Sequence, residues 1–177
     1  PGAFERLRGQ HGVRVSRDGS VQLRLEGADA PELHFGRAAQ PRGAAARDAL
    51  LLAAGFAPKH IRYGRDGMSV ADATPASVPG LVLTNAADAN GRPIAYALGH
   101  DGPAVSGDAI DEAALTEVLA RTINHHLVAE GHAYPAIYAT TPAAHARVLR
   151  AAAARARTFR LGVWPADRSA RFLLRSP

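Results

Sequence analysis

The chain has 177 residues, of which 47% are hydrophobic and 21% charged, which suffices for one well-filled core and is short for two. It contains no cysteine, which excludes a disulfide framework and a thiolate metal site, and its apolar stretches fall short of the roughly 20 residues that span a membrane. Twenty-one Lys and Arg against 16 Asp and Glu give a formal net charge of +5, which suits a phosphate-rich partner, although an Arg- and Ala-rich coding bias produces the same balance.

The first part of the chain predicts a β-hairpin. Apolar and polar residues alternate on both sides of Asp18-Gly19, a dipeptide that is typical of two-residue hairpin turns. We therefore expect two antiparallel strands over residues 13–26. The next segment contains a glycine and a proline, and it places Asp29 and Glu32 on a loop at the exit of the second strand.

A first helix is predicted over residues 44–54, which are rich in helix formers and are followed by Gly55 as a left-handed stop. Residues 57–80 fit one or two short strands. A second pair of strands is predicted at 81–84 and 94–98. Arg92 would lie where the connection between these two strands re-enters the sheet.

The last third of the chain predicts two further helices. Apolar positions recur at helical spacing from about residue 110, with Asp108 or Asp111 as a start and Gly131 as a stop. The final helix begins at residues 141–142 and closes at 162, and Trp164 is expected to pack back onto the core. Because the strands do not alternate regularly with helices, this order favours an α+β fold with an antiparallel sheet or a small barrel.

Four charged residues form a candidate site. Arg24 lies on a predicted strand, Asp29 and Glu32 lie on the loop after it, and Arg92 comes from a separate turn. Phosphodiester hydrolysis needs a cationic clamp on the phosphate and a carboxylate that orients or deprotonates water. A surface ion pair between Arg24 and Glu32, worth only about 0–1 kcal/mol, is the alternative.

Four short segments follow one another along the chain. They are Arg24-Leu25 with Asp29-Ala30-Pro31-Glu32, Gly91-Arg92-Pro93-Ile94-Ala95-Tyr96, Asn124 with Leu127-Val128-Ala129-Glu130-Gly131 and Ala133, and Leu161-Gly162-Val163-Trp164. Each segment alone is commonplace, but four in order, separated by elements of the right type, are specific. Together they resemble the staphylococcal nuclease, or thermonuclease, family, and the resemblance covers roughly residues 13–165.

The resemblance implies a small five-stranded OB-type Greek-key barrel with three helices, in a single domain over residues 1–177. It also implies a calcium-dependent endonuclease that hydrolyses DNA or RNA with little sequence specificity. Arg24 and Arg92 would then bind phosphate, and Glu32 would act on the attacking water. Asp29 resembles a side-chain ligand of Ca²⁺, and Ala30 falls where the family supplies a backbone carbonyl ligand.

The chain departs from the family at its N-terminal end, where the Asp-Gly-Asp segment of the first strand is missing. Either Gln10 takes the place of the second aspartate, or this strand lies upstream of Pro1 and the chain is truncated. We expect the truncation, because residues 3–8 resemble a helical connector. With Gln10 there, metal binding would weaken, and the alternative function is a catalytically weakened or inactive nucleic-acid-binding or scaffold domain of the same fold. The chain is expected to be soluble, with the cytoplasm slightly favoured, and secretion stays open if an N-terminal segment has been removed.

Several other residues carry weaker signals. Tyr134 and Tyr138 are candidates for stacking a base, with plain packing as an equal alternative. His125 and His126 are adjacent on a predicted helix and point in different directions, so a shared metal ion is not expected. The arginines of the last helix are interpreted as a solvated face. A protein-interaction module that uses the helix at 110–130 is a third hypothesis.

Overall fold

The computed structural model describes residues 12–34, 40–102 and 110–167. Gln10 with the rest of the expected connector, and the candidate helix start Asp108, lie outside these ranges. The strands are β1 (Arg24–Leu25), β2 (Ala28–Asp29), β3 (Ile61–Tyr63), β4 (Val70–Ala73), β5 (Leu81–Ala87), β6 (Pro93–Leu98) and β7 (Tyr134–Pro135). The helices are α1 (Gly43–Ala54), α2 (Glu112–Val118), α3 (Ile123–Ala129) and α4 (Ala143–Thr158).

The described strands form three small sheets. In the largest, β6 lies between β1 and β5, and it runs parallel to β1 and antiparallel to β5. The pairs β2–β7 and β3–β4 are antiparallel. The α+β class is thus confirmed, as are the second pair of strands and the short strands within residues 57–80. Within the described ranges no sheet closes into a barrel, so the barrel stays a prediction.

The predicted hairpin is present as a turn but not as two regular strands. Val15 and Val21 form a single antiparallel bridge, and the Ser16 N–H donates to the Ser20 carbonyl at 2.9 Å around Asp18-Gly19. Residues 14–20 are all exposed, so the hairpin buries no apolar face against the rest of the protein. Without such burial nothing stabilises a longer pair of hydrogen-bonded strands. The prediction of two full strands over residues 13–26 is therefore wrong, and the regular strand is limited to β1.

The prediction of one long helix from residue 110 to 131 is also wrong. A 3₁₀ turn follows α2, and Thr122 then adopts an extended conformation with ψ 154°. The Thr122 hydroxyl accepts a hydrogen bond from the His125 N–H at 3.1 Å and so caps a new helix, α3. The predicted start at Asp111 is confirmed, because its carboxylate accepts from the Ala114 N–H at 2.8 Å.

The core lies where α3 and α4 pack against each other and against β6. Its fully or nearly fully buried residues include Leu127, Val128 and Leu149, and Trp164 packs against this cluster as predicted. The end of α1 at Gly55, with φ 106°, is also as predicted. None of the helices in the described ranges is long and apolar enough to cross a membrane.

Candidate functional site

Arg24 and Arg92 meet at one carboxylate, that of Asp88. Arg92 Nε and Nη2 lie 2.8 and 2.6 Å from Asp88 Oδ2, and Arg24 Nη1 lies 4.0 Å from the same oxygen. The Asp88 side chain is only 9% exposed, whereas those of Arg24 and Arg92 are 41% and 32% exposed. The two arginines predicted to bind phosphate are therefore brought together, and both still reach solvent. The alternative ion pair between Arg24 and Glu32 does not form among the described residues, where the carboxylate next to Arg24 is that of Asp88.

The connection between β5 and β6 fixes the Asp88 carboxylate. Its Oδ1 accepts the backbone N–H groups of Asn90 and Arg92, both at 2.9 Å, so the side chain closes the turn that carries Arg92. Burial by itself raises the pKa of Asp88. The hydrogen bonds from Arg92 and from the Asn90 N–H outweigh burial and hold this pKa below its ordinary value. Asp88 is therefore a charged carboxylate at neutral pH, and sequence reasoning assigned it no role.

Parallel pairing places Arg24 beside Arg92, since Arg24 lies opposite Ile94 in the register of β1 and β6. The buried side chain of Asn124 holds this pairing in place. Its Oδ1 accepts from the Ala97 N–H at 2.9 Å, and its Nδ2 donates to the carbonyls of Glu26 at 2.8 Å and Ala95 at 2.9 Å. Asn124 thus links α3 to β6 and to the end of β1, a role that its place in the motif did not reveal.

The two candidate tyrosines lie in different environments. Tyr138 accepts a hydrogen bond from Arg24 Nη2 at 2.7 Å, and the Arg24 guanidinium carbon lies 5.6 Å from the centre of its ring. Half of Tyr138 is exposed, so its ring borders the arginine site. The Tyr134 ring instead packs edge-on against Trp164, with 5.3 Å between ring centres, and burial raises its pKa. Tyr134 therefore packs against Trp164, and its role in stacking a base stays a prediction.

A cleft of about 430 Å³ opens beside Arg92. Arg14 lines the cleft too, and its backbone N–H donates to the Gly91 carbonyl at 2.8 Å, which joins the hairpin to the turn that carries Arg92. Sequence reasoning missed Arg14, and its only signal was a cation in the hairpin arm. The other residues that line the cleft are Ser16, Gln22 and Asn90.

The predicted carboxylates lie on the segment that follows β1. Asp29 was predicted on a loop but lies in β2, because it pairs with Tyr134 of β7; it is exposed, as is Ala30 after it. Glu32 is exposed, and its backbone is fixed by Gln40, whose side-chain oxygen accepts the Glu32 N–H at 2.9 Å. Among the described residues, the carboxylates of Asp29 and Glu32 have no hydrogen-bond or ion-pair partner. No contact within these ranges therefore joins them to the arginines.

The described residues do not by themselves complete a calcium site. Ca²⁺ takes about six to eight oxygen ligands, and here the implied set provides the Asp29 carboxylate and the Ala30 carbonyl. No group of three or more His, Cys, Asp or Glu that could hold a metal ion occurs within residues 12–34, 40–102 and 110–167. Burial lowers the pKa values of His125 and His132, which favours their neutral forms.

Comparison of the sequence with models of known protein families and with curated proteins gave no match.

Proposed function

We propose that this chain is a staphylococcal nuclease-like endonuclease that hydrolyses phosphodiester bonds of DNA or RNA with little sequence specificity. The observation that carries this proposal is the sharing of Asp88 by Arg24 and Arg92 at the edge of a cleft that Arg14 also lines. Guanidinium groups pair with phosphate oxygens through two parallel hydrogen bonds. Two of them held together suit a phosphodiester, which gains negative charge in its transition state.

The charge of the site supports a phosphate ligand. Arg14 and Arg92 at the cleft, with Arg24 and Asp88 beside Arg92, together carry a net charge of +2, more than one phosphodiester neutralises. Asp88 fixes the Arg92 guanidinium before a ligand arrives, and this preorganisation lowers the cost of ordering it during the reaction. Tyr138, beside Arg24, offers a ring face to a base or sugar next to the bound phosphate.

The remaining roles belong to the same proposal by resemblance. Glu32 is exposed, and because its carboxylate has no partner among the described residues, it is available to orient or deprotonate a water molecule. A calcium ion, when bound, would act as a Lewis acid on a phosphate oxygen. The five-stranded OB-type barrel is also part of the proposal.

A second candidate function is a nucleic-acid-binding or scaffold domain that does not cleave. It is favoured by a specific observation, namely that the described residues supply only Asp29 and the Ala30 carbonyl toward a metal. In that case the arginines would hold a phosphate without activating water.

Cleavage and binding assays on the same chain separate the two functions. The chain is incubated with labelled single-stranded DNA and with RNA, in calcium and in chelator. If the chain is a nuclease, it should cleave in calcium and not in chelator. The rate of cleavage should fall by about 10²- to 10⁴-fold in Glu32→Gln and in Arg92→Lys. Glu117→Gln and Arg62→Lys, which change exposed residues elsewhere, serve as matched controls and should keep full activity. Binding without cleavage supports the scaffold function, and the absence of both refutes both.

A further inference from the structure

Helix α4 carries an unusual charge. Its 16 residues contain four arginines and no acidic residue, which gives the helix a formal charge of +4, compared with +5 for the whole chain. Since unpaired like charges on neighbouring turns of a helix repel one another, such a helix is stabilised by a nearby anion. The arginines are Arg147, Arg150, Arg155 and Arg157.

Three of these arginines lie on one face. Arg147, Arg150 and Arg157 are spaced at i, i+3 and i+10, which places them on the same side of a helix, and all three are exposed. We call this set the α4 arginine stripe. Arg155 lies on another side, where it pairs with Glu130 at 3.6 Å. The residues of α4 that pack into the core are His145, Ala146, Leu149, Ala152, Ala153 and Ala156.

Within the part of the chain that the structure describes, two members of the stripe have no partner for their guanidinium groups. Among the described residues, Arg147 and Arg150 make no hydrogen bond, ion pair or ring contact, whereas Arg157 lies 5.9 Å from the centre of the Trp164 ring. The α4 arginine stripe therefore presents donors that no described side chain satisfies.

We propose that the α4 arginine stripe is a second surface that binds the phosphate backbone of a nucleic acid, separate from the cleft at Arg92. At a rise of about 1.5 Å per residue, Arg150 and Arg157 lie about 10.5 Å apart along the helix axis. Three nucleotides of one duplex strand span about 10 Å. The stripe thus matches a run of phosphates. Ala154, between Arg150 and Arg157, adds no bulky apolar group, so the face lacks the large side chains with which interfacial helices enter a membrane.

The position of the stripe separates its role from the chemistry of the cleft. On the core side of α4, Leu149 packs against Gly27, which links β1 and β2. The stripe residues are exposed whereas Leu149 is buried, so a change in the stripe leaves the contact between Leu149 and Gly27 in place. The choice of nucleic acid as the polyanion rests on the proposed function. DNA binding is measured in the absence of cleavage, so the two proposals can fail separately.

The test measures binding in chelator, where a calcium-dependent enzyme does not cleave. Fluorescence anisotropy with labelled single-stranded and duplex DNA compares the wild type with Arg147→Gln/Arg150→Gln, a change that keeps the helix propensity similar. The control is Lys59→Gln/Arg65→Gln, which removes the same charge from exposed positions elsewhere. Circular dichroism confirms that both variants fold.

Loss of two phosphate contacts should weaken binding by roughly 10- to 50-fold at 0.1 M salt and reduce the slope of log K against log [salt] by about 1.4–1.8. The control should change affinity by less than about twofold, because it alters only the distant field. Equal losses in both variants, or no loss in the stripe variant, would overturn the inference. So would binding to phosphatidylserine vesicles that depends on the stripe while DNA binding does not. Absence of cleavage by the wild type in calcium, with stripe-dependent DNA binding, would refute the nuclease proposal alone.

Discussion

Replacing Asp88 with Asn removes the charge that joins the two arginines and keeps the size of the side chain. Asp88 Oδ2 accepts from Arg92 Nε and Nη2 at 2.8 and 2.6 Å, and only 9% of the aspartate side chain is exposed. A hydrogen bond to a charged group contributes about 1.5–3 kcal/mol, less where water screens it, as at the partly exposed Arg92. Because the Asn oxygen can still close the turn, we expect Asp88→Asn to lower the free energy of unfolding by about 2 kcal/mol at pH 7.

This loss should depend on pH in one direction. The pKa of Asp88 is raised by burial but lowered, on balance, by the hydrogen bonds from Arg92 and Asn90. A carboxylate whose pKa is lowered in the folded protein stabilises the fold at pH values above its pKa in the unfolded chain, which is about 3.9 for aspartate. This stabilisation is lost as the pH falls through the pKa of the folded state. The difference between the wild type and Asp88→Asn should therefore be constant from pH 7 to 5 and shrink below about pH 4.

Urea unfolding at pH 7, 5 and 3 measures this difference, with Asp72→Asn as the matched control. Asp72 pairs with Arg62 at 3.7 Å, but the two side chains are 60% and 72% exposed, so its loss should cost less than about 0.5 kcal/mol. A cost for Asp88→Asn as small as that of the control would refute the reasoning. A large cost that persists unchanged at pH 3 would assign the effect to packing and would also contradict it.

Three further changes test other parts of the fold. Asn124→Ala leaves a buried backbone N–H of β6 without its acceptor and should cost about 2–4 kcal/mol, read as a lower urea midpoint at unchanged m-value. Burial lowers the pKa of His132 in the folded protein, so as the pH falls below about 6.5 this histidine is protonated in the unfolded chain before it is protonated in the folded one. The folded protein therefore loses stability between pH 7 and 5, and His132→Gln should make this loss smaller. Gly27→Ala should lower the free energy of unfolding by about 2–4 kcal/mol, because φ is 70° and the new methyl group meets Leu149. Gly19→Ala is the control: at φ 81° in open space it should cost only the strain of a left-handed backbone. Equal losses in the two variants would contradict the clash with Leu149.

The parts of the fold that could be predicted from the sequence depend on neighbouring residues. Gly55 ends its helix and Asp111 starts one because each acts on the backbone within about one turn. The break at Thr122 escaped prediction, since the apolar spacing continues on both sides and only the cap marks the new helix. The role of Asp88 depends on the parallel pairing of β1 with β6, which brings Arg24 from a distant part of the chain, and no local pattern encodes that contact.

The arrangement around Asp88 also predicts how binding and turnover should separate. A phosphodiester carries one negative charge in the ground state and gains more in the transition state, so fixed donors contribute most to the step in which charge develops. Asp88→Asn raises the net charge of the cleft by one, which favours ground-state binding, and it frees Arg92 from its fixed orientation. For an enzyme we therefore expect a lower KM together with a kcat reduced by about tenfold or more. For a domain that only binds, the same variant should bind nucleic acid more tightly, and equal losses of kcat and affinity would contradict a positioning role for this carboxylate.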